Sequence, residues 1–262
     1  MIRGTRSSAR SDCIRDVHKA WLWVVLLVAI VRPTWAGPPY VTDDPEPVEY
    51  QHIEVYVASQ TATSKGLTTG TAPHLDINYG IVPDIHLHLN LPMAFSAPHG
   101  EATHYGIGDI EIGSKMRFLH ETKWLPELAF YPAIDFPTGS EKENLGTGST
   151  LAFFPIWAEK TWGDWSATAG GGYWINLGSS RKNWWLGGLQ GQRKVTESLA
   201  LGAEIFHMPP QQPGDRGQTG VNAGLIYDFS EIHHLLLSAG PAIQGESGFQ
   251  TYLAYQATFA LF

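Results

Sequence analysis

The chain has 262 residues, a formal net charge of -8, 16% charged residues, 28 glycines and 10 tryptophans. Soluble domains usually carry about a quarter charged residues, so this glycine-rich and aromatic-rich composition departs from theirs. The acidic balance argues against nucleic acid as a partner. The one cysteine, Cys13, precedes the predicted mature chain, which excludes a disulfide framework or a thiolate metal site there.

Residues 1–36 are predicted to be a cleaved secretory signal peptide. Basic residues precede an apolar run at 21–31, and Thr34 and Ala36 supply small residues for cleavage. The run is about half the length that a spanning helix needs, so an uncleaved anchor is the less favoured alternative. The segment holds six basic and two acidic residues, so the remaining chain would carry 11 basic and 23 acidic residues, a net charge of -12.

Residues 37–51 are predicted to form a periplasmic N-terminal segment, followed by a barrel at 52–262. Apolar and polar residues alternate with period two through most of this region, which indicates half-buried strands. In one example, Ile85, Leu87 and Leu89 alternate with His86 and His88. No later apolar run is long and uninterrupted, and open strands in lipid leave backbone groups unsatisfied, so a membrane protein of this kind would have to be a closed barrel.

The alternation gives about twelve strand candidates, an even number as expected for a bacterial outer-membrane barrel. Their spans are 52–62, 72–82, 85–96, 105–119, 125–138, 149–161, 164–178, 183–195, 198–208, 219–229, 233–244 and 249–262. The odd-numbered connections, including 63–71 and 139–148, look longer than the even ones, such as Pro83-Asp84. Short periplasmic turns and longer extracellular loops are the expected arrangement, with both termini in the periplasm.

Aromatic residues cluster near the predicted short-turn rim, where they would form a girdle at the lipid boundary. They are Tyr79, Phe118, Trp124, Trp162, Trp165, Tyr227 and Phe229. A soluble sandwich with these rings in its core is the alternative, but charge on the inward face of several strands suits a polar lumen better. Glycines at 170–172, 187–188 and 191 are expected to permit strand curvature or the close approach of a plug. The terminal Phe262 resembles an outer-membrane assembly signal, although it lies on the opposite face from Phe259.

Several segments together carry a resemblance to a known family. They are GIGDIEIGSKMRFL at 106–119, PELAFYPAIDFPTG at 126–139, and a hairpin at 146–173 with Gly-Thr-Gly-Ser, Trp-Gly-Asp-Trp and Gly-Gly-Gly-Tyr. In order, they resemble the outer-membrane transporter family associated with the meta-pathway of phenol degradation. The resemblance implies an outer-membrane barrel associated with uptake of aromatic or other small organic compounds, and it supplies no catalytic residues.

Charged and imidazole side chains on the predicted inner face are the candidate functional residues. They are His86, His88, Asp109, Glu111, Lys115, Arg117, Glu127 and Asp135. The ladder of charges could line a pore or bind a solute, or it could plug the lumen by pairing. Strand order predicts that Lys115 and Arg117 lie between the two histidines on one side and Glu127 and Asp135 on the other. His86 and His88 could share a metal with nearby side chains, but a polar wall is favoured and no metal or cofactor is predicted.

No enzyme site is visible in the sequence. Outer-membrane phospholipases use a His and a Ser two residues apart, and no His-x-Ser occurs here; phosphate-cradling and HExxH motifs are also missing. We therefore expect a passive channel or transporter for small organic molecules, aromatic or hydrophobic ones among them. A structural or adhesive barrel is the alternative, and an outer-membrane hydrolase is disfavoured. The expected partners are outer-membrane lipid, the barrel-assembly machinery and a small organic solute.

Overall fold

The computed structural model describes residues 39–178, 182–210, 217–245 and 247–261. The predicted signal peptide and Phe262 lie outside these ranges. No helix in the described part of the chain is long and apolar enough to cross a membrane.

The described residues form fourteen strands and one short 3-10 turn at Glu141–Glu143. In chain order the strands are β1 (His52–Ser64), β2 (Leu67–Val82), β3 (Ile85–Pro98), β4 (His104–Ile107), β5 (Ile110–Leu119), β6 (Glu127–Phe130), β7 (Ala133–Phe136), β8 (Leu151–Trp162), β9 (Trp165–Asn176), β10 (Trp184–Thr196), β11 (Leu199–Met208), β12 (Gln218–Asp228), β13 (His233–Gly245) and β14 (Gly248–Ala260).

The strands form one closed antiparallel barrel. β1 pairs with β2 on one side and with β14 on the other, in a register that runs from His52↔Ala260 to Ser64↔Gly248. β4 and β5 both pair with β3, and β6 and β7 both pair with β5 and β8, at successive heights; each couple therefore counts as one barrel strand. The predicted barrel of twelve antiparallel strands is confirmed.

The two interrupted strands were predicted to be continuous at 105–119 and 125–138. The first breaks at Gly108 and Asp109, the second at Tyr131 and Pro132. Proline has no backbone N–H for the ladder, so pairing stops there. The neighbouring strands still use the free carbonyls: the Ser114 N–H donates to the Pro132 carbonyl at 3.1 Å. Hydrogen bonding between neighbouring strands therefore continues across the break.

The first connection was predicted to be long, at 63–71, and this was wrong. β1 and β2 continue to Ser64 and Leu67 and are joined by a two-residue turn in which Gly66 has a φ of +85°. Threonines fill this part of both strands, and β-branched residues suit a pleated strand even where neither face is strongly apolar. The longest connection in the described chain instead runs from 137 to 150.

The outer face of the barrel is an apolar band. Large hydrophobic side chains are exposed on every strand except the short β6, and lipid rather than water would cover this surface. Exposed rings near the short turns include Phe118, Trp124, Trp162, Trp165, Tyr227 and Phe229, as the sequence predicted; Tyr79 is half-buried. This arrangement is the aromatic girdle of membrane barrels.

The inner face is more mixed than the predicted polar lumen. Buried polar side chains from many strands lie on it, including Gln190, Gln192, Asn222 and Gln256. Two apolar clusters also face inward: one surrounds Leu236 on β13, and the other surrounds Trp157 and Phe206. A twelve-strand barrel is narrow, so inward side chains of neighbouring strands contact one another and can exclude water locally.

Candidate functional site

The residues before β1 lie against inward-facing side chains of the barrel. We call residues 39–50 the N-terminal segment. The backbone N–H groups of Val41 and Thr42 donate to the two carboxylate oxygens of Glu204 on β11, each at 2.9 Å. The Ser238 hydroxyl on β13 donates to the Pro39 carbonyl. Thr42 is fully buried, so these bonds anchor the start of the segment to the inner wall.

The rest of the segment is attached to another part of the wall. Lys115 on β5 donates to the carboxylates of Asp43 and Asp44 at 3.1 and 3.4 Å. The Val48 backbone N–H donates to Nδ1 of His86 on β3 at 3.0 Å. Because Nδ1 accepts this hydrogen bond, it carries no proton. His86 is therefore the neutral tautomer that is protonated on Nε2.

These two sets of contacts place the segment across the lumen. Counting the interrupted strands once, β3 and β5 are the third and fourth barrel strands, whereas β11 and β13 are the ninth and eleventh of twelve. One short segment that contacts both must cross the interior between them. Residues 37–51 were predicted to lie in the periplasm. Residues 39–48 instead lie inside the barrel, because inward charges on both walls have their partners in this segment.

Glycines on the inner wall make room for the segment. A Cβ atom at Gly188 would lie 2.1 Å from the Thr42 hydroxyl oxygen, and one at Gly202 would lie 2.6 Å from the Tyr40 hydroxyl oxygen. At Gly224 a Cβ would lie 2.8 Å from the Tyr40 ring. Real Cβ atoms do not approach so closely, so larger residues would exclude the segment from this position. The expectation that Gly188 permits the close approach of a plug is confirmed.

Arg117 links two carboxylates at the short-turn end of the lumen. Its Nε and Nη2 atoms donate to one carboxylate oxygen of Asp84 at 2.9 and 2.6 Å, and Nη1 donates to Glu127 at 3.3 Å. Asp84 lies in the β2–β3 turn, where its φ is +67°. The hydrogen bond and charge of Arg117, with His120 nearby, outweigh burial and hold the pKa of Asp84 below its ordinary value. Glu127 lies beside Arg117, as strand order predicted.

A second polar group surrounds His88. Its two ring nitrogens lie 3.1 Å from Asp76 on β2 and 3.0 Å from Glu111 on β5. Asp135 on β7 lies opposite Glu111 in the strand register. The Tyr131 ring, at the break between β6 and β7, packs edge-on against His88 with centroids 5.5 Å apart. Side chains of four strands and the strand break thus meet at one inward site.

Asp109 has a different position from the other predicted residues. It lies at the break between β4 and β5, and its carboxylate accepts hydrogen bonds from the Gly139 N–H, the Thr147 N–H and the Thr147 hydroxyl. Asp109 therefore fastens the 137–150 connection to the wall. Sequence alternation placed Asp109 on the same face as Glu111, and nothing local indicated that its carboxylate would bind this connection.

The structure separates the two candidate metal ligands. His86 bonds to the N-terminal segment, whereas His88 lies between carboxylates. In the described part of the chain, no group of three or more His, Cys, Asp or Glu side chains is arranged to hold a metal ion.

An aromatic stack lines the inner wall near the longer loops. Phe153 on β8 stacks on Trp174 of β9 with centroids 4.3 Å apart, and Trp174 stacks on Trp184 of β10 at 5.5 Å. The alternate residues Phe154, Tyr173 and Trp185 are exposed on the outer face. Val41 of the N-terminal segment packs on the apolar cluster that contains Phe153. These inward rings were not among the predicted site residues, although they lie on the face opposite to the girdle and alternation along each strand could have identified them.

The geometry agrees with comparisons to known proteins. A family model described as "Putative MetA-pathway of phenol degradation" matches residues 52–258. The chain belongs to this family. The matched residues of the phenol-degradation family run from the start of β1 to Thr258 in β14, and the N-terminal segment precedes them. The comparison with curated proteins gave no match.

Solved structures similar to this phenol-degradation family member are membrane barrels. An outer-membrane channel from Pseudomonas putida F1 has a TM-score of 0.66 at 17% identity, covering 82% of this chain and 97% of its own. The KdgM porin in complex with oligogalacturonate has a TM-score of 0.54 at 8% identity, covering 78% and 99%. The translocator domain of the autotransporter NalP from Neisseria meningitidis has a TM-score of 0.54 at 12% identity, covering 94% and 98%. At these identities the likeness establishes the fold.

Proposed function

We propose that this protein is exported to the bacterial outer membrane and acts there as a passive channel for small organic solutes. The observation that carries the proposal is a closed barrel with an apolar outer band and an inner face crossed by one chain segment. The wall is held by continuous backbone ladders, whereas the segment is held by a small set of side-chain contacts. Displacing the segment therefore costs much less than opening the wall.

The polar part of the inner face supports an aqueous path. Several buried polar atoms on it have no hydrogen-bond partner among the described residues, including Gln190 Oε1, Asn222 Oδ1 and Gln256 Oε1. Buried polar groups without partners are costly in a dry core, so these atoms suit a lumen that water enters. Glu204 and Lys115, which hold the segment, would then face this path when the segment leaves.

The aromatic stack supports a solute with an aromatic or apolar part. The stacked rings of Phe153, Trp174 and Trp184 make the inner wall aromatic near the longer loops, where a solute from outside would first arrive. Membership of the phenol-degradation family supports the same class of solute. Transport would be passive diffusion. A solute that moves on toward the short turns would next meet Arg117 and its partners Asp84 and Glu127.

The test is permeation through purified mature protein. Planar bilayers measure ion conductance, and liposome swelling compares phenol, benzoate and a sugar of similar mass. We expect measurable conductance and faster entry of the aromatic solutes than of the sugar. A correctly folded barrel that conducts no ions and admits none of the solutes, with or without residues 39–48, would favour the structural or adhesive alternative. Hydrolysis of a phospholipid by the same preparation would favour an enzyme.

A further inference from the structure

The outer face of the strands carries almost no charge. Among the described strand residues, the outward positions hold two side chains that are charged at neutral pH, Lys160 on β8 and Arg193 on β10. Both lie toward the short-turn end of the barrel. A charge on a lipid-facing surface is unfavourable unless it is paired or reaches the interface, so each of the two requires an explanation.

Lys160 is neutralised by the protein itself. Its ammonium group donates to the Glu121 carboxylate and, at 2.8 Å, to the Thr122 carbonyl, both in the β5–β6 turn. Only 17% of its side-chain surface remains accessible, so the turn shields this charge from the lipid.

Arg193 has no such partner. In the described ranges, no carboxylate lies within ion-pair distance of its guanidinium, and the side chain is exposed. The guanidinium instead lies over the Trp165 ring, 5.2 Å from its centroid. The cation–π contact fixes the direction of the group but leaves its planar set of N–H donors free.

The height of Arg193 on the barrel matches a lipid headgroup. It lies directly across from Trp165 on β9 and Leu201 on β11. Trp165 belongs to the exposed aromatic girdle, where side chains meet the polar part of a bilayer. The next outward position toward the centre of the barrel wall is Gly191, and a Cβ there would meet nothing within 4 Å. The outer surface between Arg193 and the centre of the barrel wall therefore has open space, whereas large hydrophobic side chains cover much of the rest of the apolar band.

We propose that Arg193 and Trp165 form a binding site for the phosphate of a glycerophospholipid in the periplasmic leaflet. Phosphate oxygens are the anions that lipid brings to this height, and a guanidinium binds them through two parallel hydrogen bonds. The acyl chain would lie over Gly191 and its register neighbours Ala167 and Ala203. The inference rests on the proposed outer-membrane location and concerns the opposite face of the wall from the proposed channel.

Native mass spectrometry tests the site directly. The mature protein in dodecylmaltoside micelles is supplied with phosphatidylglycerol or, as a phosphate-free lipid, with diacylglycerol. We expect the wild type to retain bound phosphatidylglycerol and little diacylglycerol. Arg193→Gln is expected to lower phosphatidylglycerol retention about tenfold, since hydrogen bonds to a charged group are lost. Arg193→Lys keeps the positive charge but lacks the planar pair of donors. Its phosphatidylglycerol retention is expected to lie between those of the wild type and Arg193→Gln.

Lys123→Gln is the matched control, because Lys123 lies over the Trp124 ring at the same rim but in a turn outside the strand wall. It is expected to retain phosphatidylglycerol as the wild type does. Equal retention by Arg193→Gln and wild type would overturn the site, as would an equal loss in Lys123→Gln or equal binding of diacylglycerol. Bilayer conductance of Arg193→Gln should match wild type, which both verifies its fold and keeps this test separate from that of the channel.

Discussion

The carboxylate of Glu204 accepts a hydrogen bond from the Thr42 backbone N–H at 2.9 Å, although the two residues are 162 positions apart in the chain. Its other oxygen accepts from Val41, so one buried glutamate satisfies two consecutive backbone donors. Asn222 also donates to Glu204, which fixes the direction of the carboxylate. This contact holds the N-terminal segment against the wall opposite β3 and β5.

Replacing Glu204 with Gln should release the segment. The amide keeps one acceptor oxygen and turns a donor toward the second backbone N–H, so at least one charge-assisted bond is lost, worth roughly 1.5–3 kcal/mol. The fraction of channels without a docked segment should then rise by about tenfold or more. Single-channel recording measures this as a higher open probability.

Glu159→Gln is the control for that variant, since Glu159 is also an inward glutamate but bonds to Thr168 within the wall. Its open probability should not rise, because Glu159 makes no described hydrogen bond to the segment and its charge repels those of Asp44 and Glu46. If the two variants behave alike, the effect belongs to lumen charge in general rather than to the attachment of the segment.

A single methyl group on the inner wall should also displace the segment. Gly188→Ala places a Cβ 2.1 Å from the Thr42 hydroxyl oxygen, which is a steric clash, so one of the two groups must move. Gly191→Ala, three positions along the same strand, places its Cβ in open space on the outer face. We expect faster liposome swelling for Gly188→Ala and no change for Gly191→Ala. Equal rates in both would show that Thr42 does not occupy the path.

Acid should strengthen the docking of the segment. Burial raises the pKa of Asp43 to about 6 from its ordinary 3.8, with Lys115 opposing the shift. Partial enclosure by the inner wall and nearby carboxylates raise the pKa of Glu46 to about 7 from 4.5, although about half of its side-chain surface (54%) stays accessible. The docked segment therefore binds protons more tightly than a released segment in water, and docking gains stability as the pH falls from about 7 to about 4.

Conductance at pH 5 should consequently be lower than at pH 8, and the change should be reversible. The double variant Asp43→Asn, Glu46→Gln carries no titrating group at these positions and should have a flatter profile. Conductance that rises on acidification in the wild type would contradict the assigned direction.

Arg117→Ala should destabilise the short-turn end of the barrel. The change leaves Asp84 and Glu127 without their shared cation, and removing one partner of a half-buried network costs about 2 kcal/mol. Urea unfolding in detergent micelles should show a lower midpoint. Lys123→Ala removes a rim cation that contacts a tryptophan ring and no described carboxylate, and its midpoint should stay within error of wild type.

The strand pattern was predictable because it depends on local alternation. Period two assigned His86, His88, Lys115 and Arg117 to one face, and the structure has all four on the inner wall. The same rule gave no sign that the Asp109 carboxylate binds the 137–150 connection, because alternation does not register a strand break. The Pro132 break itself carries a signal, since proline within a strand removes a ladder hydrogen bond.

The partners across the lumen were not predictable from one sequence. Strand order relates neighbouring strands, so it placed Glu127 beside Arg117. It could not pair Lys115 with Asp43, because nothing local indicates that a segment before the first strand enters the barrel. Two sequence features belong to that contact: the acidic residues between Asp43 and Glu46, and the inward glycines at 188, 202 and 224. Only the closed barrel brings these distant parts of the chain together.

A reversible disulfide between the segment and the wall shows whether the docked segment closes the channel. Cys13, in the predicted signal peptide, is the one native cysteine, so the double variant Thr42→Cys, Gly188→Cys would carry a single cysteine pair in the mature chain. A Cβ at Gly188 lies 3.2 Å from the Thr42 Cβ, so a disulfide needs only a small adjustment. Bilayer conductance of this variant is measured before and after reduction. We expect nearly closed channels when the cysteine pair is oxidised, and conductance at or above the wild-type level when it is reduced. Equal conductance in both states, with the disulfide verified by mass spectrometry, would contradict this expectation.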